Sequence, residues 1–191
     1  MKKTLISLAI ISSSLFASTS VMAGDEYKMD IKGQHAFVQF KVSHLGYSWL
    51  LGEFNDFDGR FYFDEEEPSN SNVTMTIDMS SVDSNHAERD KHLRSGDFFN
   101  VDEYPQASFE STSFSENANG TYTLTGDFTM KGITDEVTFN VIKVGEGEDP
   151  WGGYRAGFEA IGDLDLADYG MDDKLGNLPV QLYLSIEGVR Q

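Results

Sequence analysis

The sequence predicts an all-β protein whose antiparallel strands either close into an up-and-down barrel or pack as a two-layer sandwich. Apolar and polar residues alternate with period two along several segments, which is the pattern of a strand with one buried face. Turn-forming pairs such as Asn119-Gly120 separate these segments. About eight strands of this length, each with one apolar face, are typical of both architectures.

The strands follow one another along the chain with short connections. In the clearest of them, Leu124, Phe128 and Met130 share one face with Gly126, while threonines occupy the other. The predicted strands are a short one at 27–31 and others at 38–43, 50–57, 59–64, 73–79, 106–114, 121–130, 136–144, 155–166 and 180–187. Asn119-Gly120 predicts a type I′ turn, and Asp58-Gly59 and Lys131-Gly132 predict turns of similar chemistry.

One segment, 83–99, interrupts the strand pattern and predicts a short helix. Asn85 is placed to cap it, with Glu88 three residues on in capping-box spacing. Gly96 is placed to end it in the left-handed conformation. We expect Leu93, Phe98 and Phe99 to anchor this helix, so that it plugs or flanks one mouth of a barrel.

The composition of the chain excludes several classes of partner and site. The chain has 191 residues, no cysteine and a net charge of −18. Such acidity disfavours nucleic acid and anionic membrane surfaces as partners. The lack of cysteine excludes disulfides, thiol catalysis, cysteine-based zinc sites and a lipid-modified N-terminal cysteine. We expect no cofactor and no metal.

The first 23 residues have the features of a secretory signal peptide. Lys2 and Lys3 precede a short apolar run at 5–17, and Val21-Met22-Ala23 offers small residues for cleavage. That run is too short to span a bilayer. We therefore expect one mature domain at 24–191, located in the periplasm and not embedded in a membrane.

An eight-stranded barrel either fills its interior with side chains or holds one small ligand. The inward candidates are nearly all apolar, which allows both a cavity for a hydrophobic chain and a packed core. Alternation does not decide between them. The residues predicted to line such a cavity are Val38, Phe40, Val42, Met75, Ile77, Leu124, Gly126, Phe128, Phe139, Phe158, Leu182 and Leu184.

The predicted helix carries the densest basic spot of this acidic chain. His86, Arg89 and Arg94 are candidates to hold a polar headgroup, because arginine suits phosphate oxygens. A solvated helix face is the plainer interpretation. The i,i+4 pairs His86/Asp90 and Glu88/His92 also have a spacing that zinc sites use, but the sequence supplies no further clear ligands.

The residues also resemble the YceI-like family of bacterial periplasmic proteins. The resemblance covers most of the mature chain in order. Its segments are HAFV (35–38), HLGYSW (44–49), GEFNDFDG (52–59), SVDSNHAERDKHLRS (81–95), YPQA (104–107), LTGDFT (124–129) and DPWGG (149–153).

The resemblance implies an extended, eight-stranded, lipocalin-like antiparallel barrel. It also implies that the barrel binds a long polyisoprenoid lipid of the prenyl-phosphate or quinone type, as a carrier and not an enzyme. It identifies no headgroup residues. The alternatives are a lipid-acting enzyme that uses the 86–94 segment and a packed protein without a ligand.

Overall fold

A computed structural model describes residues 24–171 and 179–191 of the chain. The predicted signal peptide at 1–23 lies outside these residues. Within them, one sheet contains β1 (Asp25–Met29), β2 (Ala36–His44), β3 (Ser48–Phe54), β4 (Phe57–Phe63), β5 (Asn72–Asp78), β6 (Val82–Asp83), β7 (Gln106–Glu116), β8 (Tyr122–Met130), β9 (Ile133–Glu148), β10 (Tyr154–Leu164) and β11 (Val180–Arg190). The α-helix α1 spans Ala87–Arg94, and short 3₁₀ turns lie at Pro68–Asn70, Met79–Ser81 and Leu166–Tyr169.

These segments form a closed barrel of eight strands, because three barrel strands are each built from two segments. β1 and β2 both pair with β11. β4 pairs with β1 and β3 with β2, while β5 pairs with β4 and β6 with β3. All pairings are antiparallel and join barrel strands that follow one another along the chain, except that β11 pairs with β1 and β2 and so closes the barrel. The up-and-down barrel is therefore confirmed and the sandwich is wrong.

The predicted alternation defines the barrel interior. Along β8, residues 122, 124, 126, 128 and 130 are buried, and those between them are half-buried or exposed. Val137, Phe139 and Val141 repeat this pattern on β9. The inward side chains of the strands form one apolar core.

Two predicted turns are wrong in position or type. Gly59 lies inside β4, opposite Met75, where the missing side chain leaves room for Met29. The strand break falls instead at 55–56. At Asn119-Gly120 only Gly120 has a positive φ, whereas a type I′ turn needs two. Lys131 and Gly132 do both have positive φ and connect β8 to β9 with type I′ geometry.

The helix is confirmed, but both of its predicted ends are wrong. His86 is the N-cap, and its Nδ1 accepts a hydrogen bond from the amide of Arg89. Asn85 instead adopts a left-handed conformation with φ 62°. The helix ends at Arg94, and Ser95 caps it in an extended conformation, so Gly96 has no capping role.

The barrel has two distinct ends. At one end, called here the helix end, lie α1, the β2–β3 turn, the β8–β9 turn and the 3₁₀ turn at Leu166–Tyr169 that follows β10. At the other, the far end, lie the loop at 64–71, the turn at 117–121 and the loop at 149–153.

A charged cluster joins the barrel strands where β1 and β2 are interrupted. The Arg155 guanidinium donates to Asp30 at 2.6 Å, to Asp149 at 2.8 Å and to Glu187. His35 Nδ1 lies 2.9 Å from Asp30 Oδ2. Hydrogen bonds from Arg155 and His35 lower the pKa of Asp30 to about 2. One guanidinium thus connects the interruption, the far-end loop and β11.

We predict that Asp30→Asn lowers stability in a pH-dependent way. The folded-state pKa of Asp30 is depressed, so its contribution is complete above the unfolded value of 3.8 and is lost as the pH falls toward about 2. Urea denaturation should give a difference in unfolding free energy of about 1–2 kcal/mol at neutral pH that shrinks toward pH 2.

Asp58→Asn is the matched control. Asp58 pairs with Lys28 at 3.6 Å, and both side chains are mostly exposed, so its effect should stay below about 1 kcal/mol at every pH. A loss from Asp30→Asn that is equally large at pH 2 would show that the charge of Asp30 does not stabilise the cluster.

Candidate functional site

The barrel encloses an apolar cavity of about 380 Å³. Side chains from β1–β5 and β7–β11, together with α1 and the segment after it, line the cavity. Nearly all of these side chains are apolar, and the polar exceptions are His44, Tyr62, Ser71, Arg89 and His92. The interior is therefore not completely filled by its own side chains, which was the question that the alternation left open.

The predicted cavity residues lie on this lining with one exception. The lining includes Val38, Phe40, Val42, Met75, Ile77, Leu124, Phe128, Phe139, Phe158, Leu182 and Leu184. Gly126 is the exception, because the Phe109 ring from β7 already occupies the space beside it. A Cβ built on Gly126 would lie 2.5 Å from Phe109 Cζ and 2.5 Å from the Glu110 carbonyl oxygen.

The wall formed by β10 and β11 is the least tightly covered. Phe158, Ala160, Leu182 and Leu184 line the cavity, yet each is only half-buried although it packs on the core. Inward residues of a filled barrel would be as buried as those of β8. This wall is therefore where the interior has room for a guest.

Aromatic rings close the far end of the cavity. Phe63 packs edge-on against Phe158 at 5.0 Å and against Phe114 at 6.3 Å, and Phe114 stacks on Tyr122. Lys143 lies 5.0 Å above the Phe63 ring. Of the polar residues lining this end, Ser71 is buried and Tyr62 half-buried.

Two carboxylates balance the positive charge of Lys143 at this end of the barrel. It donates to Glu65 at 2.6 Å and lies 3.3 Å from Glu146. Burial acts to lower the pKa of Lys143, but the hydrogen bonds to the two carboxylates outweigh it and raise the pKa above its ordinary value. The far end is thus closed by packed rings and a satisfied cation.

At the helix end the lining reaches exposed polar residues. His44, Arg89 and His92, called here the mouth residues, line the cavity. His44 is exposed, and the His92 side chain is 59% exposed. The cavity therefore opens to solvent beside α1.

Ser84 orients the Arg89 side chain. Arg89 Nε donates to Ser84 Oγ at 2.7 Å, and an Nη donates to the Ser84 carbonyl oxygen. A guanidinium has five N–H donors, so donors remain that Ser84 does not use. Arg89 is thus a pre-positioned cation at the mouth.

Two of the three predicted headgroup residues do not line the cavity. His86 is exposed and caps α1, so its ring nitrogen is already engaged. Arg94 Nη1 donates to the carbonyl oxygen of Val82 at 3.3 Å and holds β6 to the helix. Only Arg89 of that set faces the cavity.

The sequence analysis did not assign His44 and His92 to the cavity. A signal for His44 was present, because it continues the period-two face of Val38, Phe40 and Val42. His92 follows Arg89 by three residues and so shares its helix face. The His92 ring packs edge-on against Phe98, with the ring centroids 5.0 Å apart.

Asp90, which lies inside the 86–94 segment that the enzyme alternative uses, makes structural contacts. The Asp90 carboxylate is buried and accepts hydrogen bonds from the amide and hydroxyl of Ser84. Burial acts to raise the pKa of Asp90, but the Ser84 hydrogen bonds and the nearby Arg94 and Arg89 outweigh it and leave the pKa below its ordinary value. A carboxylate held in this way positions the helix.

The zinc-like spacings on α1 are likewise engaged, since His86 caps the helix and Asp90 binds Ser84. Among the described residues, Asp30, His35 and Glu187 bring potential ligand atoms within 4.8 Å of one another. Arg155 donates to both of these carboxylates. Its guanidinium already supplies the positive charge that a metal ion would bring.

Within the ranges 24–171 and 179–191, no helix has the length and apolar character needed to cross a membrane.

Comparison with known proteins identifies the same fold and a family. A family model described as a YceI-like domain matches residues 27–187. A UPF0312 protein of Pseudomonas aeruginosa is 54% identical over 193 aligned positions that cover all of both chains. A UPF0312 protein of Yersinia enterocolitica is 52% identical and covers 98% of this chain and 97% of its own.

Solved structures share the barrel at lower identity. BcnA of Burkholderia cenocepacia has a TM-score of 0.72 at 22% identity and covers 83% of this chain and 98% of its own. A YceI protein of Campylobacter jejuni has a TM-score of 0.69 at 24% identity, covering 78% and 90%. A polyisoprenoid-binding domain from Saccharophagus degradans has a TM-score of 0.61 at 14% identity, covering 86% and 98%.

We predict that Gly126→Leu destabilises the barrel and that Ala160→Leu does not. The leucine at position 126 collides with a backbone oxygen and the Phe109 ring, and such overpacking costs about 1–3 kcal/mol. The leucine at position 160 extends from a cavity-lining position and should change the unfolding free energy by less than about 0.5 kcal/mol. Urea denaturation measures both, and an equally large loss for Ala160→Leu would contradict the cavity.

Proposed function

Because the chain belongs to the YceI-like family, we propose that it is a carrier that holds the apolar chain of an isoprenoid lipid inside its barrel. The observation that carries the proposal is the apolar cavity of about 380 Å³, with its opening at the mouth residues. The fold shared with a polyisoprenoid-binding domain from Saccharophagus degradans supports the choice of ligand class. The mechanism is sequestration: the barrel removes an apolar chain from water.

The volume of the cavity bounds the length of chain that it encloses. An apolar cavity of about 150 Å³ binds benzene, which has six carbons. By proportion, 380 Å³ holds about fifteen carbons, or three isoprene units. A longer chain has to extend through the mouth or widen the loosely covered β10–β11 wall.

Burial of the lipid chain alone gives only a modest binding free energy, so contacts at the mouth matter for affinity. About fifteen buried carbons contribute on the order of 12 kcal/mol, while association costs about 4–15 kcal/mol. The enclosed chain alone therefore leaves a modest net affinity. Polar contacts to the headgroup add both affinity and orientation.

The mouth residues favour an anionic headgroup. Arg89 is held in place by Ser84 with donors unused, and His44 and His92 add ring nitrogens at the same opening. Guanidinium groups bind phosphate oxygens with strong charge-assisted hydrogen bonds. These features support a prenyl phosphate over a quinone.

The proposed compartment is the periplasm, since residues 1–23 have the composition of a signal peptide. N-terminal sequencing of protein released with the periplasmic fraction should begin at or near Gly24. An intact Met1 on the mature protein would contradict export.

The binding test uses farnesyl phosphate and farnesol, which share a fifteen-carbon chain. Isothermal titration should show tighter binding of the phosphate, because only it engages the mouth residues. The substitution Arg89→Gln should remove most of this difference, because it removes the guanidinium of the mouth, and should leave farnesol binding unchanged. Lys91→Gln is the control, because Lys91 is an exposed residue of the same helix that does not line the cavity.

Two outcomes would contradict parts of the proposal. If neither compound binds, the cavity does not hold an isoprenoid. If both bind and Arg89→Gln preserves the preference for the phosphate, the headgroup lies elsewhere.

A further inference from the structure

The β2–β3 hairpin presents large apolar side chains to solvent at the helix end. Leu45 is 74% exposed, Tyr47 86%, Trp49 61% and Leu51 64%. These four residues are called here the hairpin tip. Monomeric proteins seldom leave such contiguous apolar surface uncovered, and where they do it usually marks an interaction site.

The backbone holds the hairpin tip away from the barrel wall. The β2–β3 pairing continues to His44 and Ser48, whereas β6 covers the other edge of β3 only at Glu53 and Phe54. Leu45 and Gly46 both have positive φ. A leucine in that conformation is uncommon, so this turn keeps an apolar side chain at the apex where a small polar residue is the usual choice.

The hairpin tip is continuous with the cavity mouth. His44 and Leu50 face inward and line the cavity, while Trp49 and Leu51 alternate with them to the outer face. Any partner that covers the outer face and the apex therefore lies directly beside the opening.

The chemistry of the hairpin tip fits a lipid surface. Tryptophan and tyrosine, with an apolar body and a polar atom, prefer the boundary between water and hydrocarbon. Lys41 Nζ lies 4.2 Å above the Trp49 ring, where its chain can follow the apolar surface while its charge meets headgroup phosphates.

The described lysines and arginines differ in whether they form ion pairs. Lys28, Arg60, Lys143, Arg155 and Arg190 form ion pairs with carboxylates. By contrast, cations at the helix end form none with a described carboxylate: Lys41, Arg89, Lys91, Arg94 and Lys131. Six described lysines and arginines form no ion pair, and five of them lie at the end that carries the hairpin tip, beside exposed carboxylates such as Glu88 and Asp97. The sixth, Lys32, lies where β1 and β2 are interrupted.

We propose that the hairpin tip inserts into the surface of a phospholipid bilayer and places the cavity mouth against it. An isoprenoid chain then moves between bilayer and barrel without crossing water. The transfer step rests on the proposed function, but the docking itself does not.

The chain has two tryptophans, so one can report on the hairpin tip while the other serves as a control. Trp49 lies on the hairpin tip, and Trp151 lies in the far-end loop, where it is 79% exposed. Trp151→Phe leaves Trp49 as the reporter, and Trp49→Phe leaves Trp151. With vesicles of phosphatidylethanolamine and phosphatidylglycerol, Trp49 emission should shift to the blue and be quenched by brominated lipid, while Trp151 emission stays unchanged.

A second variant separates docking from ligand binding. Leu45→Ser/Leu51→Ser should reduce vesicle partitioning by about tenfold or more and slow extraction of farnesyl phosphate from vesicles. It should leave the affinity for farnesyl phosphate in solution unchanged, because neither leucine lines the cavity. If the wild-type protein does not bind farnesyl phosphate in solution, that result counts against the proposed function and not against docking.

Three results would overturn the proposal. One is quenching of Trp151 to the same extent as Trp49, or of neither. Another is wild-type partitioning of the double serine variant. The third is a blue shift of Trp49 that needs no vesicles and grows with protein concentration, which would identify a second copy of the chain as the partner on the open β3 edge.

Discussion

The structure depends on the closure of one antiparallel sheet on itself. Eight strands leave an interior whose width is set by strand number and tilt, and every inward position has to be apolar because its side chain is removed from water. Whether that interior is filled then depends on side-chain size alone. On β8 the filling is tight, and along β10 and β11 inward residues such as Ala160 and Leu184 remain half-buried beside the cavity. A cavity in this barrel is therefore a local shortage of side-chain volume along one wall.

The two ends of the barrel differ in how they are closed and in the polar residues that they carry. The far end is closed by packed phenyl rings and by Lys143, whose charge Glu65 and Glu146 satisfy. The helix end places an oriented arginine and two histidines beside an opening. Because the closed end carries the paired cation Lys143 and the open end carries Arg89 with donors unused, an amphiphile with an anionic headgroup has one favourable orientation in the barrel.

Alternation in the sequence predicts which residues share a face, and this was sufficient for the inward side chains of β2, β5 and β8. It left a barrel and a sandwich both open, and the family resemblance favoured the barrel. The period-two pattern does not report what a neighbouring strand contributes. Alternation therefore predicts that Gly126 lines the cavity, although the Phe109 ring from β7 fills the space beside it. The start of the helix was misplaced for a different reason, since the capping preference of Asn85 gave way to local hydrogen bonds from Ser84 to Asp90 and from Arg89 to His86. The mouth depends on where α1 lies relative to His44 of β2, which no local pattern contains.

The central claim is that an isoprenoid chain occupies the cavity, and the most direct measurement is mass spectrometry of an organic extract of the protein purified from its native cells. The account predicts an isoprenoid with an anionic headgroup at close to one molecule per barrel. Recovery of no lipid, or only of lipids without an isoprene chain, would contradict it.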